Sequence, residues 1–347
     1  MPEYSVRISE KIRHTKALEL LLRNHFNDVL AKEGVTDICY NGKDTIFYMD
    51  STGRWKEEPT DLRFDDALAI ATAAATARKK KISELSPILS ADLPNGERVQ
   101  FNIPPSVDNG ICIISIRIPS KQEFTMEDYK AQGMFDVIKK EKNPKTKVDK
   151  ELIELYNNKE YDAFLKKAVE YRKTVIFAGK TGSGKTTFAK TFVNYIPKDE
   201  RLISIEDTKE MVFTQHANSV NLYYSDTAKK DDALTSSTLL RSCLRLVPDR
   251  ILLTEVRDAA AFDFIDALKN GHPGSITTMH ATDTKSAFSR LVTMYKMNDK
   301  SAGMPYEAVL EEIHDLVDIV VCLHKDINSS SRYISDIYFK EVDYVKN

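Results

Sequence analysis

A chain of 347 residues with 42% hydrophobic content is long enough for two domains and rich enough to give each a core. Its 50 basic and 52 acidic residues leave a formal net charge of -2, which excludes wholesale electrostatic coating of nucleic acid. No uncharged apolar run approaches the ~20 residues that span a bilayer, and MPEYSVRISEKIRHTK lacks a signal-peptide core, so a cytosolic chain is expected. Cys39, Cys112, Cys243 and Cys322 form no C-x-x-C pair, which predicts buried free thiols rather than a structural zinc.

In chain order, residues 16–32 (KALELLLRNHFNDVLAK) space their apolar side chains as an amphipathic helix does. The runs VTDICYN, TIFYMD and GRWKEE follow, broken by Asn-Gly and Thr-Gly turn signals, and predict strands of a small antiparallel sheet covered by that helix. ALAIATAAATA (Ala67–Ala77), ahead of Arg78-Lys79-Lys80-Lys81, predicts an Ala-rich buried helix with a solvated basic end; a membrane-touching helix is the alternative. PNGERVQFNIPP and GICIISIRIPS predict a hairpin. From about residue 120 to 168 the chain turns Lys- and Glu-rich without strand pattern, as a linker passing into helices does. The expected division is 1–135, a smaller α+β domain; 136–168, a helical linker; and 169–347, a second domain. In that last part TVIFAG, RLISIE, RILLTE and GSITTMH alternate with helical stretches, the pattern of parallel βαβ units in a doubly wound α/β sheet.

After the strand TVIFA, the stretch GKTGSGKTTFAKTF matches G-x-x-x-x-G-K-[ST] from Gly179 to Thr186. Gly182 and Gly184 let the backbone curl so that successive N–H groups face phosphate oxygens, and the following helix adds its positive end. Lys185 reaches the β- and γ-phosphates, and the Thr186 hydroxyl is suited to Mg²⁺. Hydrolysis also needs a carboxylate to orient water. RILLTE ends in Glu255, and RLISIEDTKE offers Glu206, Asp207 and Glu210, all at strand ends where a doubly wound sheet binds its ligand. A helix-cap or surface role is the alternative for any one of these acids.

The ordered boxes GKTGSGKTT, ISIEDTKE, LRLVPDRILLTEVRD and GHPGSITTMHA resemble the Walker A, Asp, Walker B and His boxes of the type II/type IV secretion ATPases. Within that family the chain is most similar to the cytoplasmic motor of type IV secretion systems, and VTDICYN, PNGERVQ, SIRIPS and AQGM extend the resemblance over nearly the whole chain. The resemblance implies a RecA-like P-loop ATPase domain preceded by a smaller α+β N-terminal domain that senses nucleotide and faces membrane or partner. It implies ATP and Mg²⁺ as cofactors and a homo-hexamer. Its partners would be inner-membrane secretion components, including a coupling protein and a second ATPase, with peripheral membrane association and nucleic acid met only indirectly.

Residue by residue, the resemblance assigns nucleotide contact to Gly179, Lys180, Thr181, Gly182, Ser183, Gly184, Lys185, Thr186 and Thr187, with Mg²⁺ on Thr186. Glu210 is implied as the water-activating carboxylate, and Glu255 as support for metal, through water, and for the nucleophile. Arg98 and Arg117 match N-terminal arginines that reach the terminal phosphate; sheet-edge ion pairing is their alternative role. His272 and His280 are implied to be the polar tips of a phosphate-sensing box, with a plain turn or, more remotely, a metal site as alternatives. One departure stands out: relatives have Gly before the Walker B Glu, and here Thr254 occupies that position.

A type II secretion or pilus-retraction ATPase is the nearest competing function. The lack of a four-cysteine zinc module speaks against the former, and the N-terminal motifs speak against the latter. A helicase-like DNA binder would need a basic or aromatic groove that the near-neutral charge does not advertise. A GTPase switch would need an N-K-x-D guanine motif, which does not follow the loop.

Overall fold

The computed structural model describes residues 2–119, 125–136, 146–225, 232, 234–326 and 328–344, with side chains described from residue 16. Residues 137–145 of the expected linker lie outside the described residues.

Helix α1 (Pro2–Leu30) buries Leu18, Leu22, Phe26 and Val29, three or four residues apart on one face. Strands β1 (Val35–Tyr40), β2 (Thr45–Asp50) and β3 (Trp55–Pro59) follow as an antiparallel meander. Helix α2 (Phe64–Ala77) then buries Ala67, Ile70, Ala71, Ala74 and Ala75, so its small side chains serve close packing within the protein. Strands β4 (Ile88–Asp92), β5 (Arg98–Asn102) and β6 (Ile113–Arg117) complete an antiparallel sheet of order β3-β2-β1-β6-β5-β4. Ile38, Tyr40, Val99, Phe101, Ile114 and Ile116 point to α1 and α2 and form the first core.

Beyond the short helix α3 (Met126–Ala131), helices α4 (Lys147–Asn157) and α5 (Tyr161–Glu170) begin the second half. Thr146 and Asp149 form a capping box at the start of α4. Leu152, Phe164, Leu165, Ala168 and Val169 of these helices pack into the same core as Val175 and Phe177, so both helices are built onto the second sheet. That sheet has the order β13-β12-β7-β11-β10-β8-β9. Its strands are β7 (Val175–Gly179), β8 (Leu202–Glu206), β9 (Ser219–Tyr223), β10 (Arg250–Leu253), β11 (Ile276–Met279), β12 (Ile319–Lys325) and β13 (Arg332–Phe339). All run parallel except the β12–β13 hairpin at one edge. Helix α6 (Lys185–Val193) joins α4 and α5 on one face, and the helices α7 (Ser236–Cys243), α8 (Ala260–Lys269), α9 (Thr284–Tyr295) and α10 (Tyr306–Leu316) cover the other. The small helix α11 (Lys340–Asp343) follows β13.

The second face of the first sheet is polar, yet it is buried. Asp37, Asn41, Gln100, Asn102 and Ser115 are each at most 5% exposed. They meet the second half of the chain at the amino ends of its parallel strands. Arg201, fully buried ahead of β8, donates from Nη1 to Asn41 Oδ1 at 2.9 Å and to Asn218 Oδ1, and from Nε to the Leu246 carbonyl at 2.8 Å. Trp55 Nε1 donates to Asp249 Oδ2 at 2.8 Å, and Gln100 Nε2 to Ser242 Oγ at 3.0 Å. Asn41 and Gln100, which lose water here, gain protein partners across the boundary, whereas Asn102 Nδ2, Arg201 Nη2 and Asn218 Nδ2 are buried without a partner among the described residues. All four cysteines are buried and free, and no described helix is long and apolar enough to cross a membrane.

Candidate active site

The carboxyl ends of β7, β10 and β11 gather the loop, the acid and the second histidine. Strand β7 is buried throughout, which anchors the loop that leaves it. A Cβ on Gly179 would collide with Ser183 Oγ and stand 2.7 Å from the Leu323 carbonyl, so the strand end tolerates no side chain. Gly182 and Gly184 hold φ of +78° and +85°, the left-handed turns that fold the loop back onto α6. Ser183 Oγ is buried inside this cradle without a partner among the described residues, as a group awaiting an external ligand would be.

Lys185 opens α6 and is 8% exposed; burial pushes its ammonium below the ordinary lysine range, against the pull of Glu255. A buried cation of this kind gains most from a phosphate. Glu255 follows β10 by two residues. Its Oε2 accepts from Arg257 Nη2 at 2.8 Å, and its Oε1 lies 3.3 Å from His280 Nε2. Burial alone would raise the Glu255 acid, but Arg257, His280 and Lys185 outweigh it and hold the carboxylate below its usual range. Glu255 is therefore a carboxylate at neutral pH. The coupling of Lys185 to Glu255 puts cation and acid in one site, and Thr186 beside them supplies a hydroxyl, a donor set that suits a hard cation bridging to phosphate.

Thr254, ahead of Glu255, is held by hydrogen bonds to both neighbouring strands. Its hydroxyl donates to the Ile205 carbonyl at 3.2 Å, and its own carbonyl accepts from Thr278 Oγ1 at 2.7 Å, so the residue ties β10 to β8 and to β11. Glu206 is fully buried and accepts the N–H groups of Glu210 and Met211 at 2.7 and 2.8 Å. It fixes the loop after β8 rather than facing ligand. Glu210 itself is exposed, with Oε2 3.0 Å from Lys190 Nζ on the flank of α6.

The remaining candidates lie elsewhere. His280 follows β11, whereas His272 precedes it and meets the Pro248 carbonyl through Nδ1 at 3.0 Å, so one strand separates the two histidines. Arg98 and Arg117 are register partners on β5 and β6 and line a cavity of about 430 Å³ with Lys80, Arg245 and Val247. Among the described residues that line the cavity only Asp92 offers an acid, and none of them belongs to Gly179–Thr187. Arg117 also donates to the buried Asp37 at 2.9 Å, an ion pair between the two central strands β1 and β6 rather than at the sheet edge.

Two residues escaped the sequence reading. Arg257 clamps both Glu255 and Asp207, the latter at 3.3 Å, and its signal was its place two residues after the Walker B acid, inside a box already in view. Arg332 lies across the phosphate loop, with Nε 3.3 Å from the Gly182 carbonyl. Nothing in the local sequence SSSRY marks it, because β13 reaches the loop only through the β12–β13 hairpin.

Comparison with known proteins agrees with this geometry. Residues 24–325 match the family described as type II/IV secretion system protein. The type IV secretion system protein VirB11 of Brucella suis biovar 1 (strain 1330) is 37% identical over 309 residues, covering 88% of this chain and 85% of that protein. The type IV secretion system protein PtlH of Bordetella pertussis is 32% identical over 319 residues, covering 90% and 92%. The crystal structure of the VirB11 ATPase from the Brucella suis type IV secretion system, in complex with sulphate, superposes with a TM-score of 0.89 at 34% identity, covering 95% of this chain and 96% of that one. The chain belongs to the type II/IV secretion system protein family, on its type IV secretion ATPase branch.

Proposed function

We propose that this ATPase works as a homo-hexameric motor in which each nucleotide is held by the phosphate loop of one subunit and met by Arg98 and Arg117 of the next. The observation that carries this reading is the separation already described: the arginine cavity lies by residues at the amino ends of the strands, while Lys185, Glu255 and His280 sit at the carboxyl ends. A cavity with four cationic side chains and one acid fits phosphate, and a neighbouring copy is a ready source of it.

The loop backbone and Lys185 hold the phosphates. Thr186 and, through water, Glu255 would hold Mg²⁺, whose chemistry there is to offset charge on the β- and γ-oxygens. Glu210, freed from Lys190, takes a proton from the attacking water, the new bond forms at the γ-phosphorus, and ADP leaves with the bridging oxygen. Arg98 and Arg117 then lose their anionic partner, and the domain spanning 1–135 moves relative to 169–347. His280 reads the same event through Glu255. The work goes to pilus assembly and to export of protein or a DNA-protein substrate. The ring acts in the cytoplasm, peripheral to the inner membrane, against membrane components of the secretion system that include a coupling protein and a second ATPase.

Mixing tests the shared site directly. Lys185→Ala and Arg98→Ala chains, each inactive alone, are expected to regain hydrolysis when co-assembled, because about one interface in four then carries both intact residues. No recovery in mixed particles of confirmed composition would overturn the shared site. Light scattering with Mg²⁺ and a non-hydrolysable ATP analogue is expected to give a mass near six times 39.4 kDa, and a monomer under all conditions would overturn the ring.

A further inference from the structure

The loop between α7 and β10, residues 244–249, brings the second half of the chain to the arginine cavity. Leu244, Arg245 and Val247 line that cavity from the second half, and Lys80, Arg98 and Arg117 line it from the first. Arg245 reaches across the boundary, where its Nη1 donates to Ser90 Oγ on β4. Arg117 has Asp37 as a counterion, whereas Arg245 forms no ion pair with a described residue.

Two features of this loop cost stability. Arg245 adds a cation to a cavity whose described lining already holds Lys80, Arg98 and Arg117 against the single acid Asp92, and like charges repel most where protein displaces water. Val247 holds φ of +56°, a left-handed conformation that its β-branched side chain opposes. The strain persists because the chain is pinned on both sides of it. The Leu246 carbonyl accepts from Arg201 Nε at 2.8 Å, the Pro248 carbonyl meets His272 Nδ1 at 3.0 Å, and Asp249 Oδ2 accepts from Trp55 Nε1 at 2.8 Å. Backbone strain of this kind is retained where a fixed geometry serves a ligand. An anion in the cavity relieves the charge repulsion, and the pinned loop holds Arg245 where it meets that anion.

We propose that Arg245 is a third guanidinium on the phosphate bound in the arginine cavity, so that this anion clamps the second half of the chain to the first. The proposal rests on the shared-site reading for the source of the phosphate and adds the contact from the second half. Arg98 and Arg117 by themselves would hold the anion on one half. Arg245 makes it a bridge, because its loop runs directly into β10. Loss of the phosphate then leaves cations of both halves around one cavity, and their repulsion favours separation of the halves. The planar fork of a guanidinium suits two oxygens of a phosphate, which a lysine does not match.

Calorimetry with inorganic pyrophosphate on the full chain carrying Lys185→Ala tests the contact, since its phosphate loop has lost the buried lysine. Adding Arg245→Ala is expected to weaken pyrophosphate about tenfold and to shrink the rise in urea midpoint that pyrophosphate gives, while Arg245→Lys keeps part of both. Unchanged pyrophosphate affinity would overturn the proposal, and a lowered midpoint beside that unchanged affinity would reduce Arg245 to a strut on Ser90. No pyrophosphate binding by the Lys185→Ala chain would overturn the anion site in the cavity, and the proposal with it. Hydrolysis tests the shared site separately: Arg245→Ala and Lys185→Ala chains are expected to regain turnover when co-assembled. Weakened pyrophosphate without recovery, in that mixture and in the one with Arg98→Ala, would overturn the shared site and leave Arg245 as an anion contact.

Discussion

Nε2 of His280 lies 3.3 Å from Oε1 of Glu255, across the carboxyl ends of two adjacent parallel strands. Burial, and after it the charge of Lys185, hold His280 below the usual imidazole range, so a neutral ring stands beside the carboxylate at neutral pH. The pair thus ties the carboxyl end of β10 to that of β11.

Removing the charge of Glu255 while keeping its shape tests its part in the reaction. Glu255→Gln is expected to lower phosphate release roughly a hundredfold and to leave ADP affinity in place. Hydrolysis at the unaltered rate would remove Glu255 from the reaction, whereas loss of ADP binding would make it a binding residue.

Arg117 and Arg98 should behave differently. Arg117→Ala leaves the 5% exposed Asp37 without its guanidinium, a cost of about 1–3 kcal/mol, so lost turnover in that variant mixes two causes. Arg98 does not hold Asp37. Arg98→Ala is expected to lose turnover with the urea midpoint unchanged, and a collapse of that midpoint would make Arg98 structural.

Arg201 locks the two halves of the chain together. Arg201→Ala leaves Asn41 Oδ1 and the Leu246 carbonyl without their buried donor, while Asn41 Nδ2 still reaches Asn218 Oδ1, and is expected to cost about 1–3 kcal/mol. The single tryptophan, Trp55, bonds Asp249 across the same boundary, so its emission should shift to the red as the halves loosen. An unshifted spectrum together with unchanged stability would show that Arg201 does not hold this contact.

Acid should loosen the fold before it reaches the carboxylate range. Burial is the main cause that pushes His272, His280 and His314 below the ordinary 6.5, so the unfolded chain binds protons that the folded chain refuses. Their contribution is present above 6.5 and is lost as pH falls through the lowered folded-state values. Urea midpoints are expected to drop between about pH 7.5 and about pH 5.5, with a smaller drop in His272→Asn. An equal drop in that variant would take His272 out of the effect.

The phosphate loop was legible because its chemistry is local. Gly179, Gly182, Gly184, Lys185 and Thr186 are set by backbone turns and a helix start within eight residues, and the structure folds them as the spacing requires. Glu255 was legible for the same reason, as the acid at the end of a buried strand. Glu206 was not separable from Glu210, since both end the same run, and only burial shows that Glu206 is spent on the N–H groups of its own loop. The GHPGSITTMHA stretch offered two histidines eight residues apart, but strand β11 runs between them and sends each to a different edge.

The sequence by itself determined the amphipathic helix over residues 16–32, the buried strands β7, β8, β10 and β11, and the glycine-spaced turn between β7 and α6, because periodicity, turn residues and glycine spacing act over a few residues. The tertiary structure decided the rest. Asn41, Gln100 and Asn102 alternate with apolar neighbours as a solvent-facing strand side would, yet they are buried against Arg201 and Ser242, since docking the halves supplies the partners that water otherwise gives. The same docking sets Arg98 and Arg117 at the amino-end side of the second sheet, and the β12–β13 hairpin carries Arg332 and Tyr333 from about 150 residues away to the mouth of the phosphate loop. Contacts between residues so far apart arise from packing and strand order, which no local pattern encodes.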